Sequence, residues 1–204
     1  KYIEELDAIN AQRYCDALYD YVRNAEVGKR LSEWQAKHKK PMWTVEYGGF
    51  TTFHALADPE KPFSLLARDN TDSALISAVR SLSWTKAERY FRYDARFTGH
   101  HGYMTMFHPD GTLKPAGVAL AALNAKLAGK RPEGEAKLSK PLQGFLFAGK
   151  GQDLLALRHA EGGAVQLTTR LNGGTVQVFD FMGRELKPAP GKLHVVADKH
   201  LKYL

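Results

Sequence analysis

The chain changes its pattern once, and that change limits the fold more than any other feature. Up to about residue 129, helical and strand periodicities alternate. From residue 142 onward, short apolar runs are broken by glycine-rich turns. Alternating strands and helices favour a parallel sheet with crossover helices, whereas closely spaced strands with tight turns favour antiparallel pairing. Between the two lies Gly129-Lys130-Arg131-Pro132-Glu133-Gly134-Glu135-Ala136-Lys137, polar and without an apolar period, which reads as a linker. The expected organisation is an α/β unit over residues 1–130, a linker over 131–141 and an all-β unit over 142–204.

In the first part, Ala17, Tyr19 and Tyr21 alternate at period two and predict a strand over residues 16–22. Val27, Leu31 and Trp34 recur at helical spacing and predict a helix over 25–38, stopped by Pro41. Met42-Trp43-Thr44-Val45-Glu46 then reads as a buried strand. The stretch from Tyr47 to Asn70 is rich in Gly, Pro, Thr and Asp, the mark of a long functional loop or insertion. Ala74, Leu75, Ala78, Val79 and Leu82 predict a helix over 71–83, with Thr71 or Asp72 as its cap. A strand at Arg89–Tyr93, a turn at His108-Pro109-Asp110-Gly111 and a helix from Pro115 to residue 128 complete this part. Three such units are too few for a closed (β/α)₈ barrel of about 250 residues, but fit its last portion. In the second part, candidate strands over 142–148, 153–159, 165–171, 175–181 and 193–197 predict a small antiparallel β-sandwich. Asn172-Gly173 is the strongest hairpin signal among its turns.

Composition excludes several function classes. The 204 residues are 44% hydrophobic and 25% charged, with no apolar run long enough to span a bilayer. A single cysteine, Cys15, rules out an intrachain disulfide and a cysteine-rich zinc site. The formal charge of +7 suits an anionic partner, but the basic residues are spread along the chain with no contiguous stripe. Neither nucleic acid nor a membrane is therefore the expected partner. His100 and His101 are adjacent, so on a strand they fall on opposite faces, while His54 and His108 stand alone. Without a phosphate-binding glycine loop either, the expectation is no metal and no cofactor. The chain starts at Lys1 with no signal-like segment, which reads as a processed or truncated product. The compartment stays open, with a secreted or periplasmic setting favoured for a bacterial source.

The segment richest in chemistry is Pro41-Met42-Trp43-Thr44-Val45-Glu46-Tyr47-Gly48. A glutamate closing a buried parallel strand stands at the carboxyl end of the sheet, where α/β folds bind their ligands. Burying its charge costs several kcal/mol unless it is paired. A glutamate that merely opens a solvent-exposed loop fits the same pattern. Trp43, Tyr47, Phe50, Phe53 and Tyr93 are candidate sugar platforms or core residues, and Arg92 and Asp94 end the strand that precedes the last helix.

This segment resembles the seventh-strand motif of clan A glycoside hydrolases, apolar-Trp-x-x-Glu-aromatic-Gly, which presents the catalytic nucleophile. Tyr19-Asp20-Tyr21 lies where the sixth strand of that family carries His-x-Tyr. Glu88 to Tyr93 is similar to the eighth strand, and His108-Pro109-Asp110-Gly111-Thr112-Leu113-Lys114-Pro115-Ala116 to the entry of the eighth helix. The β-rich tail, with Val178-Phe179-Asp180-Phe181-Met182-Gly183 and Leu201-Lys202-Tyr203-Leu204, resembles the sandwich appended to family 39-like enzymes.

The resemblance implies the last strands of a TIM barrel followed by a β-sandwich. It implies Glu46 as nucleophile, Tyr21 as its orienting hydrogen-bond donor, and Tyr19, Tyr47, Tyr93, Arg92 and Trp43 as substrate-binding residues. It implies a carbohydrate substrate, and a missing N-terminal barrel region or another chain packed on the open edge. Two departures matter. Tyr19 replaces the family's His, and no Asn-Glu pair, the usual mark of the general acid/base, occurs. A retaining glycosidase needs two carboxyl groups about 5–5.5 Å apart. The chain alone is therefore expected to turn over little substrate. The alternative is a noncatalytic carbohydrate-binding or assembly subunit derived from a glycosidase.

Overall fold

The computed structural model describes residues 8–14, 21–48, 63–92, 106–107, 110–169, 176–187 and 193–204. The chain divides into two compact units, residues 1–120 and 121–204.

In the first unit, strand β1 (Ile9–Tyr14), helix α1 (Tyr21–His38), strand β2 (Met42–Gly48), helix α2 (Phe63–Thr85) and strand β3 (Arg89–Arg92) follow in order. The strands pair in parallel as β1-β2-β3, with β2 central. This is the expected alternation. A strand occupies 9–14, and of the strand expected over 16–22, Tyr21 and Val22 belong to α1 while residues 16–20 lie outside the described residues. Strand β1 is hidden in the sequence because Asn10, Gln12 and Arg13 deny it an apolar pattern. Helix α2 also starts earlier than expected and absorbs residues 63–70 of the presumed loop.

The helix ends have local causes. Lys39, at φ 53°, follows α1 and donates its N–H to the Gln35 carbonyl at 2.8 Å, while Lys37 and His38 complement the negative end of the helix. Thr85 closes α2: its hydroxyl donates to the Ser81 carbonyl at 2.6 Å and accepts the Ala87 N–H at 3.2 Å. Both helices lie against one face of the sheet. Met42 is fully buried there with Ala87, packed by Leu31, Trp34 and Leu82. Gly28 permits the close crossing of α1 and α2, since a Cβ at this position would stand 2.5 Å from the Cβ of Trp84. Farther along α2, Ala74 packs with Met106 and Ala116, the latter in helix α3 (Pro115–Leu127).

Among the described residues, the second unit takes the last residues of α3 and eight strands: β4 (Lys130–Glu135), β5 (Leu142–Gly149), β6 (Leu154–His159), β7 (Val165–Thr169), β8 (Val178–Phe179), β9 (Glu185–Leu186), β10 (Leu193–Ala197) and β11 (Lys202–Tyr203). Six of them form an antiparallel sheet in the order β4-β5-β6-β11-β8-β9, and β7 pairs with β10. Residues 131–135 of the stretch expected as a linker thus belong to strand β4. Charges and Pro132 are tolerated because β4 is an edge strand, and Gly134 (φ 119°) takes up a register shift against β5. Asn172-Gly173 lies outside the described residues.

Phe145, Phe147, Ala156, Leu157 and Tyr203 form the interior of the large sheet, each at most 2% exposed. On the face of Phe179, the Lys126 ammonium of α3 stands 3.0 Å from the ring centroid, and Gly183 (φ 81°) lies against Ala122. On the opposite face Val178 packs with Val195, flanked by Leu167 and Leu204. Asp198 accepts hydrogen bonds from the Lys202 ammonium and the His200 N–H, each at 2.9 Å.

Candidate functional site

Parallel order fixes where a site can form. The carboxyl ends of β1, β2 and β3 lie at one end of the sheet, and Glu46 stands near that end of the central strand. Its backbone placement is unusual. Against β1, Gln12 pairs with Val45 and the next residue, Arg13, pairs with Tyr47, so Glu46 is passed over. Against β3, Thr44 pairs with Tyr90 and Tyr47 with Arg92, so Val45 and Glu46 together oppose Phe91. Both ladders of the central strand therefore break at one point, a β-bulge of two residues against one. Such bulges gather beside active sites and at barrel rims, where they redirect a side chain.

The two faces of this sheet differ. Met42 belongs to the face covered by α1 and α2. Trp43 belongs to the other face, where the Arg89 guanidinium lies 5.3 Å from its ring centroid and Phe91 packs at 6.3 Å. Phe91 is 46% exposed, so this second face is open at that position. Arg89 already occupies one side of the Trp43 ring, and Trp43 sits toward the amino end of β2, away from Glu46.

The expected site residues distribute as follows. Glu46, Tyr47 and Trp43 share β2, and Tyr47 lies in one register row with Arg13 and Arg92. Tyr21 is at the first turn of α1, not on a neighbouring strand. Tyr19 and Tyr93 lie outside the described residues, as do Phe50, Phe53, Asp94 and Cys15. Tyr14, which sequence reasoning did not single out, ends β1 in register with Gly48, two residues beyond Glu46, and is a further candidate by position. Among the described residues, no group of three or more His, Cys, Asp or Glu side chains could hold a metal ion, and no helix is long and apolar enough to cross a membrane.

No known sequence family matches the chain, and no curated protein matches it. Solved structures do. A family 39 glycoside hydrolase from Bacteroides cellulosilyticus WH2 superposes with a TM-score of 0.61 at 14% identity, over 98% of this chain and 44% of the enzyme. A GH30 endoxylanase from Clostridium papyrosolvens C71 gives 0.64 at 10% identity, over 98% of this chain and 49% of its own. A family 30 subfamily 8 xylanase, Xyn30A, from Clostridium acetobutylicum gives 0.60 at 9% identity, over 97% and 48%. The fold is one found in clan A glycoside hydrolases. The chain spans about half the length of these enzymes.

Proposed function

We propose that this chain is the C-terminal portion of a retaining glycoside hydrolase, in which Glu46 attacks the anomeric carbon of a carbohydrate substrate. The observation that carries the reading is the bulge at Glu46 near the carboxyl end of the central parallel strand. The fold shared with family 39 and family 30 enzymes supports it. In this reading the three parallel strands are the last strands of a TIM barrel, and the antiparallel sheets form its β-sandwich.

The mechanism follows from the chemistry of a carboxylate at that position. Glu46 displaces the leaving group and forms a glycosyl ester, which water then hydrolyses. A second carboxyl group must protonate the leaving oxygen and later activate the water, a contribution of about 10²–10⁴-fold. We assign that group to the remainder of the barrel, supplied by a preceding region or another chain along the unpaired outer sides of β1 and β3. Neither strand has a further strand partner among the described residues. Tyr14 replaces Tyr21 as the strand-borne candidate for the hydrogen bond that keeps Glu46 ionised. Tyr21 remains a candidate from the start of α1. Tyr19, Tyr47, Tyr93 and Arg92 stay the proposed substrate-binding residues, with Trp43 the most remote of the set.

The test compares leaving groups. A dinitrophenyl glycoside needs no protonation as it departs, whereas an alkyl glycoside does. The chain alone is expected to release dinitrophenolate slowly and to leave alkyl glycosides intact. Release that survives Glu46→Ala would remove the nucleophile assignment. Tyr14→Phe should slow release by about 10–100-fold, the worth of a hydrogen bond to a charged group, and Tyr21→Phe by less.

The second reading, a noncatalytic carbohydrate-binding subunit, draws on the absence of an Asn-Glu pair. It predicts binding of a polysaccharide without release from any activated glycoside.

A further inference from the structure

We infer that His159 is a pH-sensitive clasp in the second unit: its neutral imidazole ties the two-stranded sheet β7–β10 to the large sheet, and protonation releases β7. The juxtaposition lies at one end of the small sheet. Val165, which opens β7, pairs with Ala197, which closes β10, so both strands join the rest of the unit at that end. His159, the last residue of β6, holds both of them. Its backbone N–H donates to the Asp198 carbonyl at 2.6 Å, directly after β10. Its ring Nδ1 accepts the Gly163 N–H at 3.1 Å, just ahead of β7.

The two ties differ in chemistry. The backbone bond to Asp198 does not titrate. The ring bond does, because an imidazole nitrogen that accepts a hydrogen bond carries no proton. The closed form therefore has its proton on Nε2. A second proton goes to Nδ1 and sets an N–H against the Gly163 N–H, donor against donor. The turn is built around this ring. His159 is 7% exposed, and a Cβ on Gly163 would stand 2.8 Å from its Cε1 and 2.9 Å from its Nε2, so only glycine lets the chain lie so close. The bond from the Gly162 N–H to the His159 carbonyl is longer, at 3.4 Å, which leaves the ring as the shorter tie.

The charged groups on the elements around the ring are Arg158 and Glu161 in its own hairpin, Lys140 ahead of β5, and Asp198, Lys199, His200 and Lys202 beyond β10. The Asp198 carboxylate is engaged by the Lys202 ammonium and the His200 N–H. None of the ion pairs among the described residues includes the His159 ring, so an imidazolium there gains no partner in place of Gly163. Release of β7 loosens Leu167 from the Val178–Val195 cluster that it flanks. None of this depends on the activity proposed above.

Amide hydrogen exchange of the 204-residue chain tests the clasp, read as protection factors at about pH 8 and about pH 5, the span in which an imidazole takes up its proton. Against the pull of its burial, the hydrogen bonds from Lys202 and the His200 N–H keep the Asp198 carboxyl below its usual value, so Asp198 stays ionised throughout. Protection of the Gly163 amide should fall about tenfold at the lower pH, the worth of one hydrogen bond, with the amides of β7 following. Leu155, bonded to the Leu204 carbonyl at 2.8 Å, should keep its protection. His159→Asn retains an acceptor near the Nδ1 position but takes up no proton, and should hold Gly163 protected at both pH values. His159→Phe should leave it unprotected at both. Unchanged protection of Gly163 in the parent chain overturns the inference. So does an equal loss at Leu155, or a loss in His159→Asn that matches the parent. Should the variants not fold, the imidazole nitrogen shifts of the parent chain decide: a neutral His159 with its proton on Nε2 is expected, and a proton on Nδ1 overturns the clasp.

Discussion

The two units treat their sheets in opposite ways. In the second unit both faces of the large sheet carry cover, Lys126 and Ala122 on one side and the Val178–Val195 cluster on the other. Its last strand, β11, is inserted between β6 and β8. In the first unit, among the described residues, helices α1 and α2 cover one face of the parallel sheet, and Phe91 is half-exposed on the other. Parallel sheets are normally covered on both faces. Among the described residues, the antiparallel unit covers both faces of its large sheet, and the parallel unit bears the candidate chemistry.

The contrast can be broken by substitution. The largest effect is expected for Phe145→Ala in β5, where a fully buried ring is lost: about 3–5 kcal/mol of stability in denaturant unfolding. Asp198→Asn should cost about 1–3 kcal/mol, because the Lys202 ammonium, 10% exposed, keeps only a neutral partner. Its pH dependence sharpens the point. Burial alone would raise the Asp198 pKa, but the hydrogen bonds from Lys202 and from the His200 N–H, with the nearby positive charge, outweigh it and hold the carboxyl below its usual value. The pair therefore stabilises the fold above the ordinary carboxylate range of about pH 4, and that contribution fades as the pH falls below it. Thermal unfolding should show this acid loss in the parent chain and a flatter profile in Asp198→Asn.

Gly183→Ala should cost about 1–2 kcal/mol, since its φ of 81° disfavours a side chain and the added carbon would meet Ala122 at 2.8 Å. The smallest effect belongs to the first unit. Phe91→Ser on the open face should change the stability of the isolated chain by less than about 1 kcal/mol. A loss of several kcal/mol would show that face already covered, and the contrast between the units would fail.

Much of this was legible in the sequence because apolar spacing reports burial. Helices α1, α2 and α3, and strands β2, β3, β5, β6 and β10, lie where periodicity predicts them, give or take their ends. Strands whose roles do not require apolar residues escaped. β1 alternates with polar residues, β4 is a charged edge, and β9 and β11 are two residues long. The Glu46 segment stands out in the sequence as a glutamate after an apolar run, and strand β2 lies where that run predicts it. Its bulge was not legible, because a register break depends on which residue of a distant strand stands opposite. The position of Tyr14 opposite Gly48 was hidden for the same reason, since it comes from pairing and not from its neighbours in the chain.

The account depends most on Glu46 as the point of covalent attachment. Incubating the chain with activated 2-deoxy-2-fluoro glycosides, then mapping the labelled peptide by mass spectrometry, tests this directly. One sugar added at Glu46, and none in Glu46→Gln, is the predicted result. A sugar attached to any other residue, or equal labelling of the Glu46→Gln chain, would contradict it.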